Sequence, residues 1–98
     1  MTTYTLQVTD GVQVITHDDS VDLHHDVAIR AQGSPAGTLT LKGRKPGSDV
    51  FESIPDAVFD LSSLKSIQFI GGVAQYEITT QGISGVTLLQ LTDTSHKA

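Results

Sequence analysis

The 98-residue chain has no cysteine, no tryptophan, three phenylalanines, two tyrosines and only six lysines and arginines. Each shortage excludes something. Without cysteine there is neither a disulfide scaffold nor a thiolate metal site. Five aromatic rings leave little material for the walls of an enzyme pocket or for the stacking platform of a sugar site. Eleven acidic residues outnumber the basic ones and set the net charge at −5, which argues against nucleic acid as a partner. No apolar run approaches the ~18 residues of a membrane-spanning helix, and the N-terminus lacks the charged-then-apolar order of a signal peptide. The charged fraction of 17% is too low, and aliphatic residues are too frequent, for an acidic disordered chain.

The chain is instead rich in uncharged polar residues, with 12 Thr, 9 Ser, 7 Gln and 9 Gly. Its length suits one domain covering residues 1–98, with a thin core built mostly from Val, Leu and Ile. With no crosslink to reinforce it, help from oligomerisation or a larger partner is expected.

Period-two alternation dominates. Tyr4, Leu6 and Val8 alternate with polar residues, Val12 and Val14 resume the pattern, and Leu39 and Leu41 lie in the cleanest strand. Asp10-Gly11 reads as a hairpin turn, Gly33-Ser34-Pro35-Ala36-Gly37 as a chain break, and the glycines of Gly82-Ile83-Ser84-Gly85 as another hairpin turn. The stretch 53–66 reads as a short strand or irregular segment in preference to a helix. A final strand is placed at about 83–91, with a bulge where its phase slips between Leu88 and Leu89 and a polar tail from about 92. The sum is an all-β chain, a single antiparallel β-sandwich, Ig-like or jelly-roll-like, of about eight short strands. No internal repeat is visible.

No constellation matches a catalytic or cofactor motif. The cluster His17, Asp18, Asp19, Asp22, His24, His25 and Asp26 has metal-ligand chemistry but no defined spacing. It reads as a solvated loop, with a pH-responsive contact between subunits as a further possibility. Gly82–Gly85 lacks the GxSxG spacing of a nucleophile elbow. Asp56 and Asp60 read as solvent-facing carboxylates, and Gly43–Ser48 as a charged turn without a phosphate loop. Tyr4 and Tyr76 are in phase with apolar neighbours and read as core residues, which leaves sugar binding as a minor alternative. Neither a catalytic residue nor a cofactor nor a metal ligand is expected.

The charge is segregated: residues 1–29 carry −5, residues 30–45 carry +4 through Arg30, Lys42, Arg44 and Lys45, and the remainder carries −4. The basic stretch and the acidic arm, with Asp18 and Asp19, are the candidate interface residues.

The order Gly37-Thr38-Leu39-Thr40-Leu41-Lys42-Gly43-Arg44, Val50-Phe51-Glu52, Phe59-Asp60-Leu61 and Gln81-Gly82-Ile83-Ser84-Gly85 resembles small virion structural proteins of tailed bacteriophages, of the head-decoration, cement or fibre type. The resemblance covers about half the chain. It implies a β-sandwich accessory protein without enzymatic activity, assembled in the host bacterial cytoplasm and located in the virion. Such a protein binds neighbouring capsid or other virion subunits, as a homo-oligomer (trimer or dimer), without contact to membrane or nucleic acid. Tail or fibre placement is the alternative.

Overall fold

The computed structural model describes residues 2–16, 23–63, 65–70 and 73–97. Every regular element among them is a strand: β1 (Thr2–Leu6), β2 (Gly11–Thr16), β3 (Leu23–Arg44), β4 (Glu52–Asp60), β5 (Lys65–Ile70) and β6 (Gln75–Lys97). They form one antiparallel sheet of six strands. The all-β expectation holds, but the eight short strands are replaced by six, because β3 and β6 run for 22 and 23 residues.

These two long strands pair along their whole length, from Leu23 opposite Lys97 to Arg44 opposite Gln75. Each short strand joins one part of one long strand. The later part of β6 (residues 89–93) takes β1, and the earlier part of β3 (24–29) takes β5. The earlier part of β6 (75–80) takes β2, and the later part of β3 (38–43) takes β4. The result is two half-sheets of order β1-β6-β3-β5 and β2-β6-β3-β4. Pairing repeats under exchange of β1-β2-β3 for β4-β5-β6, a pseudo-twofold relation.

The two half-sheets meet where β3 and β6 bend together. Register shifts fall between Gln32 and Gly33, Gly33 and Ala36, and Ala36 and Thr38, opposite residues 81–88. The expected chain break at Gly33–Gly37 and the expected hairpin turn at Gly82–Gly85 are therefore one bend in a continuous ribbon. Glycine is required there by close approach. A Cβ on Gly33 would strike the Gly85 carbonyl oxygen, and a Cβ on Gly85 would strike that of Ser34, while both residues have positive φ. The phase slip read at Leu88/Leu89 is realised one step earlier. Gln32 opposes Leu88 and Gly33 opposes Val86, so Thr87 is the extra residue.

Two other expectations change. Asp10-Gly11 is not a hairpin turn, since β1 and β2 pair with different parts of β6 and not with each other. The Asp10 carboxylate instead accepts the backbone N–H groups of Gly82 (3.1 Å) and Ile83 (2.8 Å), pinning the 7–10 loop to the bend. The buried Thr80 hydroxyl, donating to the Thr9 carbonyl at 2.8 Å, fastens the same loop. The polar residues from 92 onward form no outward tail either, because β6 continues to Lys97 paired with β3.

The inner faces share one core. Leu6, Val27, Ile29, Leu89 and Leu91 come from the first half-sheet, and Leu39, Leu41, Phe59, Tyr76 and Ile78 from the second. Aliphatic residues dominate it, as composition required. Between residues 53 and 66, β4 is a strand as expected, but a bulged one. Thr40 opposes Val58 and Lys42 opposes Ser53, so Ile54, Pro55, Asp56 and Ala57 bow out, with Asp56 at φ 60°.

The turn after β4 supplies a pH-dependent contribution. One Asp60 carboxylate oxygen accepts the Ser62 N–H at 3.0 Å and the Ser62 hydroxyl at 2.7 Å. The Ser62 backbone N–H first, then its hydroxyl, hold the Asp60 carboxyl below its ordinary value. A carboxyl lowered in the folded state stabilises above its unfolded value of about 4 and loses that contribution as pH falls through the folded value. Ser62→Ala, which keeps the backbone N–H and removes only the hydroxyl, is expected to raise the Asp60 midpoint part of the way in an NMR titration; an unchanged midpoint would show that the hydroxyl does not contribute.

Candidate functional site

Side-chain alternation defines what each half-sheet presents. In the second, Gln13, Ile15, Tyr76, Ile78, Leu39 and Leu41 point toward the core side, so their neighbours face out. The sequence reading of β2 is inverted here. Val12 and Val14, assigned to the buried face, are 62% and 50% exposed, and Gln13 and Ile15 are the partly buried residues. Register decides this, because Val12 is opposite Thr79 and Ile15 is opposite the buried Tyr76.

The outward residues of this half-sheet form three rows across four strands. Val12, Thr79, Thr40 and Val58 make an uncharged, β-branched row, with Val58 56% exposed. Beside it run Val14, Glu77, Lys42 and Ser53, with the two opposite charges adjacent at the centre. The third row is tied by hydrogen bonds. Gln75 Nε2 donates to Thr16 Oγ1 (2.9 Å), Arg44 Nε donates to Gln75 Oε1 (2.7 Å), and an Arg44 terminal nitrogen donates to the Ser48 carbonyl (2.7 Å). An apolar stripe beside polar residues has the composition of a protein-binding surface, where desolvated aliphatic groups supply affinity and polar neighbours supply register.

The predicted interface residues do not form one cluster. Lys42 and Arg44 lie on this outer face, and Lys45 is exposed in the turn closed by Ser48 N–H to the Lys45 carbonyl at 3.0 Å. Arg30 lies on the other half-sheet, beyond the bend, opposite Gln90 and exposed. The basic stretch is continuous in sequence but divided between two faces by the ribbon bend. Arg44, moreover, is committed to holding the end of β3 against the 45–50 turn and the start of β6. Asp18 and Asp19 lie outside the described residues.

Of the His17–Asp26 cluster, residues 17–22 also lie outside the described residues. His25 is fully buried, which overturns its reading as part of a solvated loop. It joins two residues that sequence reasoning did not connect to it. Its Nδ1 is 3.1 Å from both Asp93 carboxylate oxygens, and the Tyr76 hydroxyl donates to Asp93 Oδ2 at 2.7 Å. The His25 and Tyr76 rings meet edge to face with centroids 6.4 Å apart. A carboxylate only accepts, so Nδ1 carries the proton in this arrangement. Because His25 and Asp93 belong to one half-sheet and Tyr76 to the other, the cluster fastens the two together through the core. Tyr76 and His25 are fully buried and Asp93 is 4% exposed. No group of three or more His, Asp or Glu side chains suited to a metal occurs among the described residues.

Tyr76 belongs to the core, as its phase indicated, and Tyr4 is partly buried against it. The Tyr76 ring is fully buried and offers no exposed face. Asp56 occupies the β4 bulge and Asp60 closes the following turn, each exposed. No family model, curated protein or solved structure matches this chain.

Proposed function

We propose that the chain is a non-enzymatic structural module, a two-layered β-sandwich that works by binding protein neighbours, and specifically a bacteriophage virion accessory of the capsid-decoration or cement type. Such a protein stabilises a shell by burying surface across adjacent capsid subunits, so that separating them also breaks its own contacts. The virus assignment rests on the sequence resemblance alone. The binding assignment rests chiefly on the outer face of the second half-sheet, where the row Val12, Thr79, Thr40 and Val58 lies open beside Lys42 and Glu77. A specific attachment needs roughly 600–1,000 Å² from each partner, within reach of one four-stranded face.

The test uses capsids of the phage that encodes the chain, mixed with purified protein at moderate salt and pelleted. The wild-type protein is expected to pellet with them. Lys42→Glu with Lys45→Glu should weaken attachment at least about tenfold, because it reverses charge beside the uncharged row and in the adjoining turn. Arg30→Glu, on the other half-sheet, should leave attachment unchanged. Arg44 is unsuitable for reversal, since its hydrogen bonds to Gln75 and Ser48 hold the fold. Wild-type protein that stays in the supernatant overturns the capsid-decoration reading. Equal pelleting of the double variant overturns this choice of surface.

A further inference from the structure

A sheet edge offers unsatisfied backbone N–H and C=O groups to any strand that can reach it, and folded proteins usually blunt such edges with charge, proline or bulges. The edges of this sheet are treated differently. β4 carries Pro55, Asp56 and the bulge at residues 54–57, and it is bounded by Glu52 and Asp60. β1 exposes threonines. β2, with sequence Gly-Val-Gln-Val-Ile-Thr, has no charge, no proline and no bulge, and its register against β6 is unbroken from Gly11 to Thr16. Among the described residues it pairs with β6 alone. It also exposes two large apolar residues, Val12 and Val14.

We infer that β2 is a self-association edge, at which a second copy of this chain adds its own β2 in antiparallel register and extends the sheet across a twofold axis. Three observations favour a second copy as the occupant. First, the strand is self-complementary. Antiparallel pairing centred on Gln13 sets Val12 against Val14 of the second copy on the outer face and Gln13 against its equivalent on the inner one, so apolar meets apolar and amide meets amide. Second, each chain carries net −5, and β2 brings no like charges face to face. Third, the pairing is continuous with the surface already described. The row Val58, Thr40, Thr79 and Val12 runs on into Val14, Glu77, Lys42 and Ser53 of the other copy, so Val12 and Val14 of both copies meet as one uncharged patch at the seam. Twofold pairing of one patch with itself closes, so the product is a dimer and not a fibre.

The mass of the full-length protein in solution tests this without any virion component. Light scattering coupled to gel filtration, at micromolar protein, is expected to give a dimer. Added salt should tighten it, by screening the mutual repulsion of two acidic chains. Val12→Lys with Val14→Lys replaces two exposed residues, so folding, checked by circular dichroism, should persist. It places Lys against Lys across the axis, and dissociation is expected to strengthen by about a hundredfold or more. Val12→Glu with Val14→Glu should behave alike, and an equimolar mixture of the two variants should restore the dimer as a heterodimer. A monomeric wild type, an undisturbed dimer in the folded Lys variant, or variants that remain monomeric when mixed would each overturn the proposal. A wild-type monomer would leave the edge to a strand from a different protein.

Discussion

Gly33→Ala and Gly85→Ala are each expected to cost about 3 kcal/mol or more, a large share of a domain's total stability of about 5–15 kcal/mol. Two effects combine at these sites. Both glycines have positive φ, 101° and 67°, where an L side chain is strained. In addition, the new methyl group would overlap a backbone carbonyl of the facing strand, Gly85 in one case and Ser34 in the other. Backbone cannot swing aside as a side chain can, so the ribbon would have to open at its bend. That bend holds the two half-sheets face to face, and opening it exposes the core. Gly47 provides the control. It also has positive φ, 82°, but a Cβ there meets nothing within 4 Å, so Gly47→Ala should cost only about 1 kcal/mol. Thermal melts of the three variants check the contrast, since about 1 kcal/mol moves the midpoint by roughly 4–8 °C in a domain of this size. Equal effects at Gly33 and Gly47 would mean that steric closure at the bend is not what the glycine provides.

Asp93→Ala is expected to destabilise by about 3–5 kcal/mol, because it removes the buried carboxylate on which His25 Nδ1 and the Tyr76 hydroxyl converge. Tyr76→Phe removes one donor and keeps the ring against His25, so about 1–3 kcal/mol is expected. The pair Tyr76→Phe and Asp93→Asn should be non-additive in urea unfolding, with a coupling of about 0.5–3 kcal/mol, since both substitutions act on one hydrogen bond. Additive effects would show that the tyrosine hydroxyl and the carboxylate do not stabilise each other. His25→Leu with Tyr76→Phe and Asp93→Leu is the informative companion. An apolar replacement of a whole buried polar cluster is often tolerated, so near-native stability in that variant would assign the cluster to specifying how the half-sheets align, more than to holding them together.

Much of the strand content was legible because alternation is a local property. Leu39 and Leu41 lie on the core face, as period-two reading placed them. Tyr76 was placed correctly for the same reason. The errors share one cause. Gly, Pro and Ser near Gly33–Gly37 satisfy the chemistry of a turn and of a bent, bulged strand equally well. What separates the two is whether a partner strand continues on both sides, and β6 does. Val12 and Val14 were assigned to the wrong face because either alternating set of β2 could be buried. Register against β6 chose the set containing Gln13 and Ile15. The grouping of Arg30 with Lys42, Arg44 and Lys45 failed in turn, since a linear charge run carries no information about a bend inside it. The buried cluster left only a faint sign: a histidine, a tyrosine and an aspartate in phase with apolar neighbours, 51 and 68 positions from His25 at the far ends of the pairings.

The scarcity of charge, cysteine and aromatic rings, together with the alternation of aliphatic and polar residues, determined by itself that this chain is all-β with a thin aliphatic core. Those properties follow from composition and from the two-residue period of an extended backbone, which each short segment obeys on its own. Tertiary structure alone decided that β3 and β6 run unbroken through their glycines, that His25, Tyr76 and Asp93 meet in the core, and that Val12 and Val14 face outward. Each of these depends on which residue lies opposite which across strands distant in sequence, and local periodicity holds no record of that pairing.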